Sequence, residues 1–530
     1  MNLRAKVAMS VVLSAGGLSL CAGLSGCTAG EDYHRPALTV SQRFSAWPST
    51  QPATAPTTQA AGSTTAPPLT DLAHWWAAMN DPELNRLLDR AVASNLDVVV
   101  AIARLQESRA LLAEFVGQSL PELKASGVLG QGTGSSVTRG GQVDGPINAA
   151  SNSSGLKEIT QAFGVDSQFE IDLFGTLRRE AEAAGADTAA AAEFRNQVLV
   201  TLLGDVTRDY VLIRTLQERI TLAEQAIAAQ AQSANVVNER YVRGITNELD
   251  LALANRELET MRAGLPPLQA QLLATKRNLA VLLGERPDGL MKELDAQSPL
   301  PQPPAEIEAG LPIDLLRRRP DVRQAEAQLI AANARLGVAT SLLYPRVFLS
   351  AAAGVQGQGL GKEPVEWRGI WDVAPAFSWP ILDFGTMDAQ VQARDQETRA
   401  AIANFQKVVL RAIAEVDNGL TSYDAQRRRL GNLGQAVTAA QRALTLANER
   451  YNRGIIDYLN VLDAERSLYG LQDEQAVSED AAVADFVDVC QALGGGWEGF
   501  PPPPPLKGPL PALLASVRDV TGNSDKPLGK

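Results

Sequence analysis

Apolar residues recur every seven positions along two proline-free stretches of the chain, residues 176–243 and 386–453. On an α-helix, this period gathers the apolar side chains into one stripe and favours left-handed coiled packing. Each stretch would extend about 100 Å as a helix. The stripes are Ala192, Leu199, Val206, Ile213, Ile220, Ile227, Ala234 and Tyr241 in the first stretch, and Ile402, Val409, Val416, Tyr423, Leu430, Val437, Leu444 and Tyr451 in the second. The pattern predicts two long helices that pack as coils.

Both long helices end at an Arg-Gly pair, and a second helical pattern follows at about 245–284 and 455–493. Glycine can adopt the left-handed conformation that often ends a helix. Two helical hairpins are therefore predicted, with Pro266 and Pro267 expected to kink the first return helix. The two hairpin tips are the pairs Arg243-Gly244 and Arg453-Gly454.

Alternating apolar and polar residues predict four strands, at about 119–131, 162–174, 346–356 and 372–384. The second is the most regular, because its odd-numbered residues from 165 to 173 are mostly apolar and its even-numbered neighbours include Asp166, Glu170 and Asp172. Acids on one side of a strand are typical of a barrel wall between lipid and water. A half-buried sheet in a soluble domain is the alternative. Pro375 and Pro380 weaken the prediction of the fourth strand.

The chain contains an internal duplication. Residues 238–258 and 448–468 share 11 of 21 identities at an offset of 210, and the tripeptide Phe-Gly-Thr at 174–176 recurs at 384–386. Upstream, Pro121 matches Pro345 at an offset of 224. Two structural repeats are therefore predicted, at residues 71–300 and 301–497.

The segments outside the repeats have distinct compositions. Residues 1–26 have the basic start and apolar stretch of a signal peptide, residues 49–70 form a Thr/Ala/Pro spacer, and residues 498–530 form a Pro-rich tail. The sequence Leu-Ser-Gly-Cys ending at Cys27 resembles the lipobox of bacterial lipoproteins, and this resemblance implies cleavage before Cys27 and a lipidated segment, 27–48. An ordinary signal peptide with an incidental cysteine is the alternative.

Composition argues against several functional classes. The chain has 48 Lys and Arg against 60 Asp and Glu, a net charge of −12, and two His residues. The acidic balance argues against nucleic-acid binding, which needs clustered cations. No catalytic motif or metal-ligand spacing is recognisable. We therefore expect no enzyme activity, no metal and no cofactor beyond the covalent lipid on Cys27.

The strand count constrains the assembly. Four strands cannot close a barrel, which needs about eight, and open sheet edges are not stable in lipid. If the strands are transmembrane, the chain must share a barrel with copies of itself, as a dimer, trimer or tetramer. The predicted fold class is an α+β membrane protein with long coiled-coil helices and two tandem repeats.

Several motifs resemble the OprM/TolC outer-membrane channels, most closely the lipidated OprM type that serves resistance-nodulation-division pumps. They are the lipobox, the twice-repeated ERYxRG, LNVLDAERSL at 459–468 and ALGGGW at 492–497. The resemblance implies a homotrimer whose twelve-stranded outer-membrane β-barrel continues into a periplasmic α-barrel. It also implies a periplasmic adaptor (membrane fusion) protein and an inner-membrane pump as partners, and export of drugs or other small solutes across the lipid bilayer.

The resemblance also implies where such a channel is gated. In the OprM type, a leucine and an aspartate four residues later constrict the periplasmic end, and they correspond here to Leu459 and Asp463. Asn460 stands where TolC has a second gate aspartate, and Ile456 stands where TolC has an arginine, so the Leu459/Asp463 version is favoured. Tyr451 is also assigned to the gate. The alternative for Asp463 is a solvated acid on a helix face.

The tip residues Arg243, Gly244, Arg453 and Gly454 match the tips that meet the adaptor, although helix capping alone also explains them. Two other functions remain open at this point. One is a type I secretion duct for polypeptides with the same architecture. The other is a lipid-anchored coiled-coil scaffold without a channel, which the acidic alternating strands argue against.

Overall fold

The structure is a computed structural model, and it describes residues 28–36, 71–133, 157–304, 307, 318–360, 364–500 and 503. The predicted signal peptide, Cys27, the spacer and nearly all of the Pro-rich tail lie outside the described residues.

The first repeat begins with a 3₁₀ helix and ends with the first helical hairpin. Asp81 caps the helix that follows the 3₁₀ helix, because its carboxylate accepts hydrogen bonds from the amides of Glu83 and Leu84 at 2.9 and 3.1 Å. The elements are the 3₁₀ helix Leu72–Met79, α1 (Pro82–Ser94), α2 (Leu96–Gln118), β1 (Glu122–Thr133), β2 (Lys157–Ile171), α3 (Thr176–Val242) and α4 (Glu248–Leu282).

The second repeat follows the same order from its strands onward. Its elements are α5 (Pro320–Ser341), β3 (Arg346–Leu360), β4 (Glu366–Ser378), α6 (Thr386–Asn452) and α7 (Tyr458–Ala492). The long helices α3 and α6 match the predicted ranges closely. The seven-residue apolar period runs along each helix, and a glycine follows its last turn. None of the described helices is long and apolar enough to cross a membrane.

The four strands form one antiparallel sheet in the order β1-β2-β3-β4. The central pairing, β2 with β3, joins the two repeats, with Val165 opposite Ala353. Among the described residues, β1 pairs only with β2 and β4 only with β3. Within the described part of the chain, the outer edges of β1 and β4 are therefore unpaired.

The strand register separates apolar from polar residues. Odd-numbered residues of all four strands share one face, and even-numbered residues share the other. The odd face carries Leu123, Leu129, Phe163, Val165, Phe169, Leu349, Val355, Trp367, Trp371, Val373 and Phe377, and the even face carries Lys124, Asp166, Gln168, Glu170, Arg346, Gln356, Arg368 and Asp372. The alternation predicted for the second strand therefore recurs in the other strands, although Val128, Phe348 and Ile370 place apolar side chains on the even face.

Strand β4 lies earlier in the chain than the predicted range of 372–384. It ends at Ser378, before Pro380, and it contains Pro375 opposite Leu349. The pairing of β4 with β3 nevertheless continues on both sides of this proline. The prolines at 266 and 267 also do not interrupt α4, which continues through both of them.

The main hydrophobic core lies where the 3₁₀ helix and α1 pack against α3, α6 and α7. Its largest buried side chains include Trp75, Tyr210, Phe405 and Phe486. The closing segment 492–497 packs against this core through Gly496, whose φ is +106°. A Cβ atom there would lie 2.8 Å from a methyl carbon of Leu203, so only glycine fits.

Arg319, at the start of α5, joins three helices of the second repeat. Its side chain is 8% exposed. The guanidinium donates to both carboxylate oxygens of Asp321 at 3.0 and 2.7 Å, to Glu415 of α6 at 2.6 Å, and to the carbonyl of Ala492 at the end of α7 at 2.9 Å. The planar fork of arginine suits this arrangement of acceptors.

Candidate gate and hairpin tips

The two hairpin tips have the same backbone structure. Gly244 and Gly454 have φ angles of +70° and +73°. The amide of Gly244 donates to the carbonyl of Tyr241 at 2.8 Å, and the next amide donates to Arg240 at 2.8 Å, which is a Schellman motif. The second tip repeats both bonds at 2.9 and 3.0 Å. No atom would crowd a Cβ at either glycine, so conformation alone requires glycine here.

The tip arginines, Arg243 and Arg453, are exposed to solvent. Arg243 lies 3.7 Å from Glu239 on its own helix, a weak surface pair. The predicted tip residues are therefore together at one end of the molecule, and their side chains are available for contacts with another protein.

Leu459, Asn460 and Asp463 lie on one exposed face of the first turns of α7. Leu459 is 58% exposed. The opposite face of the same turns is buried and includes Tyr458 and Leu462. The structure thus brings the three predicted residues together on a surface that the chain leaves uncovered.

Asp463 makes no ion pair within 4.0 Å to any described residue. The nearest arginine in sequence, Arg466, instead pairs with Glu257 of α4. The charge of Asp463 acts on Arg466 only from beyond ion-pair distance. Around a symmetry axis, copies of this carboxylate would repel one another and attract cations.

Tyr451 is placed differently from the other predicted gate residues. It is 8% exposed and packs between the two hairpins. The guanidinium carbon of Arg240 lies 4.4 Å from the centre of its ring, and the ring of Tyr458 lies 5.6 Å away. Burial raises the pKa of the Tyr451 hydroxyl, which has no hydrogen-bond partner among the described residues. Tyr451 therefore belongs to the contact between hairpins rather than to the exposed face.

We call this contact the hairpin seam; it comprises Gln230, Arg240, Glu257, Tyr451, Tyr458 and Glu465. Gln230 is fully buried, and its amide donates to the carbonyl of Ala254 at 3.1 Å and to the Tyr458 hydroxyl at 3.2 Å. Ser233 lies 3.3 Å from the same hydroxyl. The hairpin seam therefore contains buried polar groups, some of them without a hydrogen-bond partner among the described residues, next to the buried apolar residues Leu444, Val461 and Leu468.

Glu465 is not among the residues that the sequence predicts for the gate. It occupies an apolar position of α7, in register with Tyr458, Val461, Leu462 and Leu468, and an acid at such a position was a detectable signal. Burial, together with the nearby charge of Glu257, raises the pKa of Glu465 to about 7.

Among the described residues, no cluster of three or more His, Cys, Asp or Glu side chains could hold a metal ion. The arrangement at the tips offers an exposed apolar and acidic face, two identical turns and a polar contact between hairpins.

Comparison with known proteins identifies the family. The model of the family described as "Outer membrane efflux protein" matches residues 87–285 and 311–495. The solvent efflux pump outer membrane protein SrpC of Pseudomonas putida is 29% identical over 476 residues, which cover 89% of this chain and 96% of SrpC. Nodulation protein T of Rhizobium leguminosarum bv. trifolii is 28% identical, over 89% of this chain and 95% of that protein.

A solved structure agrees with these relatives. The outer-membrane channel OprN superposes with a TM-score of 0.77 at 31% identity, and the match covers 89% of this chain and all of that one. The predicted fold class, the resemblance to OprM/TolC channels and the outer-membrane location are thereby confirmed. The chain therefore belongs to the outer membrane efflux protein family.

Proposed function

We propose that the protein is the passive exit duct of a tripartite efflux pump, through which drugs or other small solutes leave the periplasm. The observation that carries the proposal is a two-faced sheet with unpaired outer edges, combined with two long hairpins, the second of which carries an exposed leucine-aspartate face next to its tip. One relative is named for solvent efflux and another for nodulation, although both are similar to this chain along most of its length. We therefore assign selection of the solute to the pump rather than to the duct.

The internal repeat supports a homotrimer and specifies its interface. Within one chain, the ring of Phe174 stacks on Tyr344, with centroids 4.7 Å apart and planes inclined by 14°. The repeat offsets map Phe174 onto Phe384 and Tyr344 onto Leu120. Phe384 is 91% exposed, and Leu120 is also exposed. A neighbouring copy would bring these two residues together, in a head-to-tail contact that closes a ring.

Three copies would supply twelve strands, with the free edge of β4 pairing with the free edge of β1 in the next copy. Closure satisfies every edge, which lipid requires. The odd-numbered apolar face would then contact lipid and the even-numbered polar face would line water.

We expect the Leu120→Cys/Phe384→Cys double variant to form crosslinks between copies. A short bis-maleimide should yield dimer and trimer bands in denaturing gels, whereas each single variant should stay monomeric. The Phe174→Cys/Tyr344→Cys variant is the matched control, because its crosslink should stay within one chain. If the double variant forms an intact trimer but runs only as a monomer in the denaturing gel after treatment with the crosslinker, this interface is contradicted.

The described N-terminal segment supports lipid anchoring at Cys27. The amide of Ala29 donates to the carbonyl of Phe174 at 2.8 Å, and Asp32 pairs with the buried Arg179 at 2.7 Å. These contacts hold residue 28 beside the end of β2, where the sheet meets the helices. A diacylated, N-acylated Cys27 would therefore enter the membrane next to the sheet.

In the same proposal, the hairpin tips contact a periplasmic adaptor protein, which links the duct to an inner-membrane pump. Leu459 and Asp463 form the constriction, with Asn460 beside them and Tyr451 supporting the hairpin behind them. The exposed arginines of the tips favour an adaptor surface that carries carboxylates.

Single-channel recording in a planar bilayer tests the duct directly. We expect purified protein to give small, mostly closed, cation-preferring steps, because Asp463 narrows and charges the constriction. Heat-denatured protein at the same detergent concentration is the control. Folded trimers that never pass current would contradict the proposed duct and favour a scaffold.

A further inference from the structure

The hairpin seam contains a carboxyl group that the proposed export function does not use. Glu465 is 5% exposed, and its own chain produces this burial, so assembly is not needed to explain it. Its Oε2 atom has no hydrogen-bond partner among the described residues. A buried carboxylate without a donor is strongly disfavoured relative to the neutral acid.

The surroundings of Glu465 provide little compensation for a negative charge. Glu257 of α4, itself nearly buried, faces it with the same charge. The guanidinium of Arg466 is already bonded to Glu257. The other titratable groups that interact with Glu465 are the hydroxyls of Tyr458 and Tyr469 on α7.

The two remaining helices of the seam contribute one cation, Arg240 of α3, which lies against the ring of Tyr451, and otherwise neutral groups. From α3, Gln230 and Ser233 lie at hydrogen-bond distance from the hydroxyl of Tyr458. From α6, Tyr451 packs its ring against Tyr458. Glu257, which pairs with Arg466 and lies 3.8 Å from Arg256, is therefore compensated, whereas Glu465 has no ion pair within 4.0 Å among the described residues.

We propose that Glu465 is a proton-controlled switch for the contact between the two hairpins. With Glu465 protonated, the hairpins stay packed; with Glu465 ionised, repulsion from Glu257 and the loss of hydration favour their separation. The inference deepens the proposed gate, and its effect on current rests on that function, because α7 also carries Leu459 and Asp463.

The direction of the pH dependence follows from the raised pKa. The reference value of 4.5 applies to a hydrated glutamate, as in the separated hairpins, and the value in the packed seam is about 7. Below about pH 4.5, Glu465 therefore contributes its full stabilisation to the packed seam. This stabilisation is lost as the pH rises through about 7. Separation should become on the order of tenfold more favourable between about pH 5.5 and about pH 8.

Hydrogen exchange of the purified full-length protein, followed by mass spectrometry, tests the switch without requiring conduction. After correction for intrinsic exchange, we expect protection of residues 458–468 to fall about tenfold from pH 5.5 to pH 8 in the wild type. Glu465→Gln should abolish this difference. Glu449→Gln, at an exposed site on α6, is the matched control and should retain it.

Glu257→Gln provides a second variant. Removing the facing charge and releasing Arg466 should make the loss of protection smaller and complete it at lower pH, because both changes lower the pKa of Glu465 within the packed seam. Wild-type and Glu465→Gln proteins with the same pH dependence would overturn the switch. Such a result would not contradict the proposed duct. Conversely, folded trimers that pass no current but show the expected pH-dependent hydrogen exchange would contradict only the duct.

Discussion

Asp463→Ala should raise the single-channel conductance several-fold and increase the time spent open. Asp463 is exposed, lies one turn from Leu459 on the same face, and has no ion pair to a described residue. In the proposed trimer, three such carboxylates meet at a narrow axis, where they bind cations and solvent tightly. Alanine removes both their volume and their charge, so the cation preference should fall as the current rises.

Glu449→Ala is the control for this experiment, because it removes one negative charge from an exposed site near the same tip without altering the leucine-aspartate face. Its conductance should remain close to that of the wild type. Steps of equal size and equal open time in Asp463→Ala and wild type would retain the duct but exclude Asp463 from the constriction.

Arg319→Ala should destabilise the folded chain by about 3 kcal/mol. The substitution leaves Asp321 and Glu415 without their shared cation and the carbonyl of Ala492 without its donor. We take the low end of the range for broken buried ion pairs, because both carboxylates are about one-third exposed. Urea unfolding in detergent, followed by circular dichroism, would measure the change.

The neighbouring residue supplies a matched control for Arg319. Arg318 is 39% exposed at its side chain and pairs only at the surface with Glu498 at 3.0 Å, so Arg318→Ala should lower stability by about 0.5 kcal/mol. Arg319→Lys should fall between the two, because it keeps the charge but loses the fork. If Arg318→Ala and Arg319→Ala lower the free energy of unfolding by the same amount, burial of the guanidinium of Arg319 does not contribute to stability.

Much of this architecture can be predicted because it is encoded locally. The seven-residue period and the Arg-Gly endings define α3 and α6, and the duplication at an offset of 210 relates the two hairpins. The strand alternation assigns the faces of the sheet correctly, since side-chain direction in a strand depends only on position. The limits of β4 were predicted too late, because the predicted range ran past Pro380, whereas the strand ends at Ser378.

The hairpin seam could not be predicted in the same way. The burial of Tyr451 depends on Arg240 and Tyr458, and Arg240 is more than 200 residues away in sequence. The charge environment of Glu465 likewise depends on Glu257 in the other hairpin. A stripe pattern shows that Glu465 interrupts an apolar face, but only packing shows which group it faces.

The two unsatisfied strand edges have a consequence for the genetics of the protein. In a ring that closes head to tail, each copy supplies one edge and receives another, so a chain with a damaged β4 can still join through β1 and then leave the ring open. Such an allele would be dominant over a normal one. With equal expression of both, random assembly into threes would leave only about one ring in eight free of the defective chain.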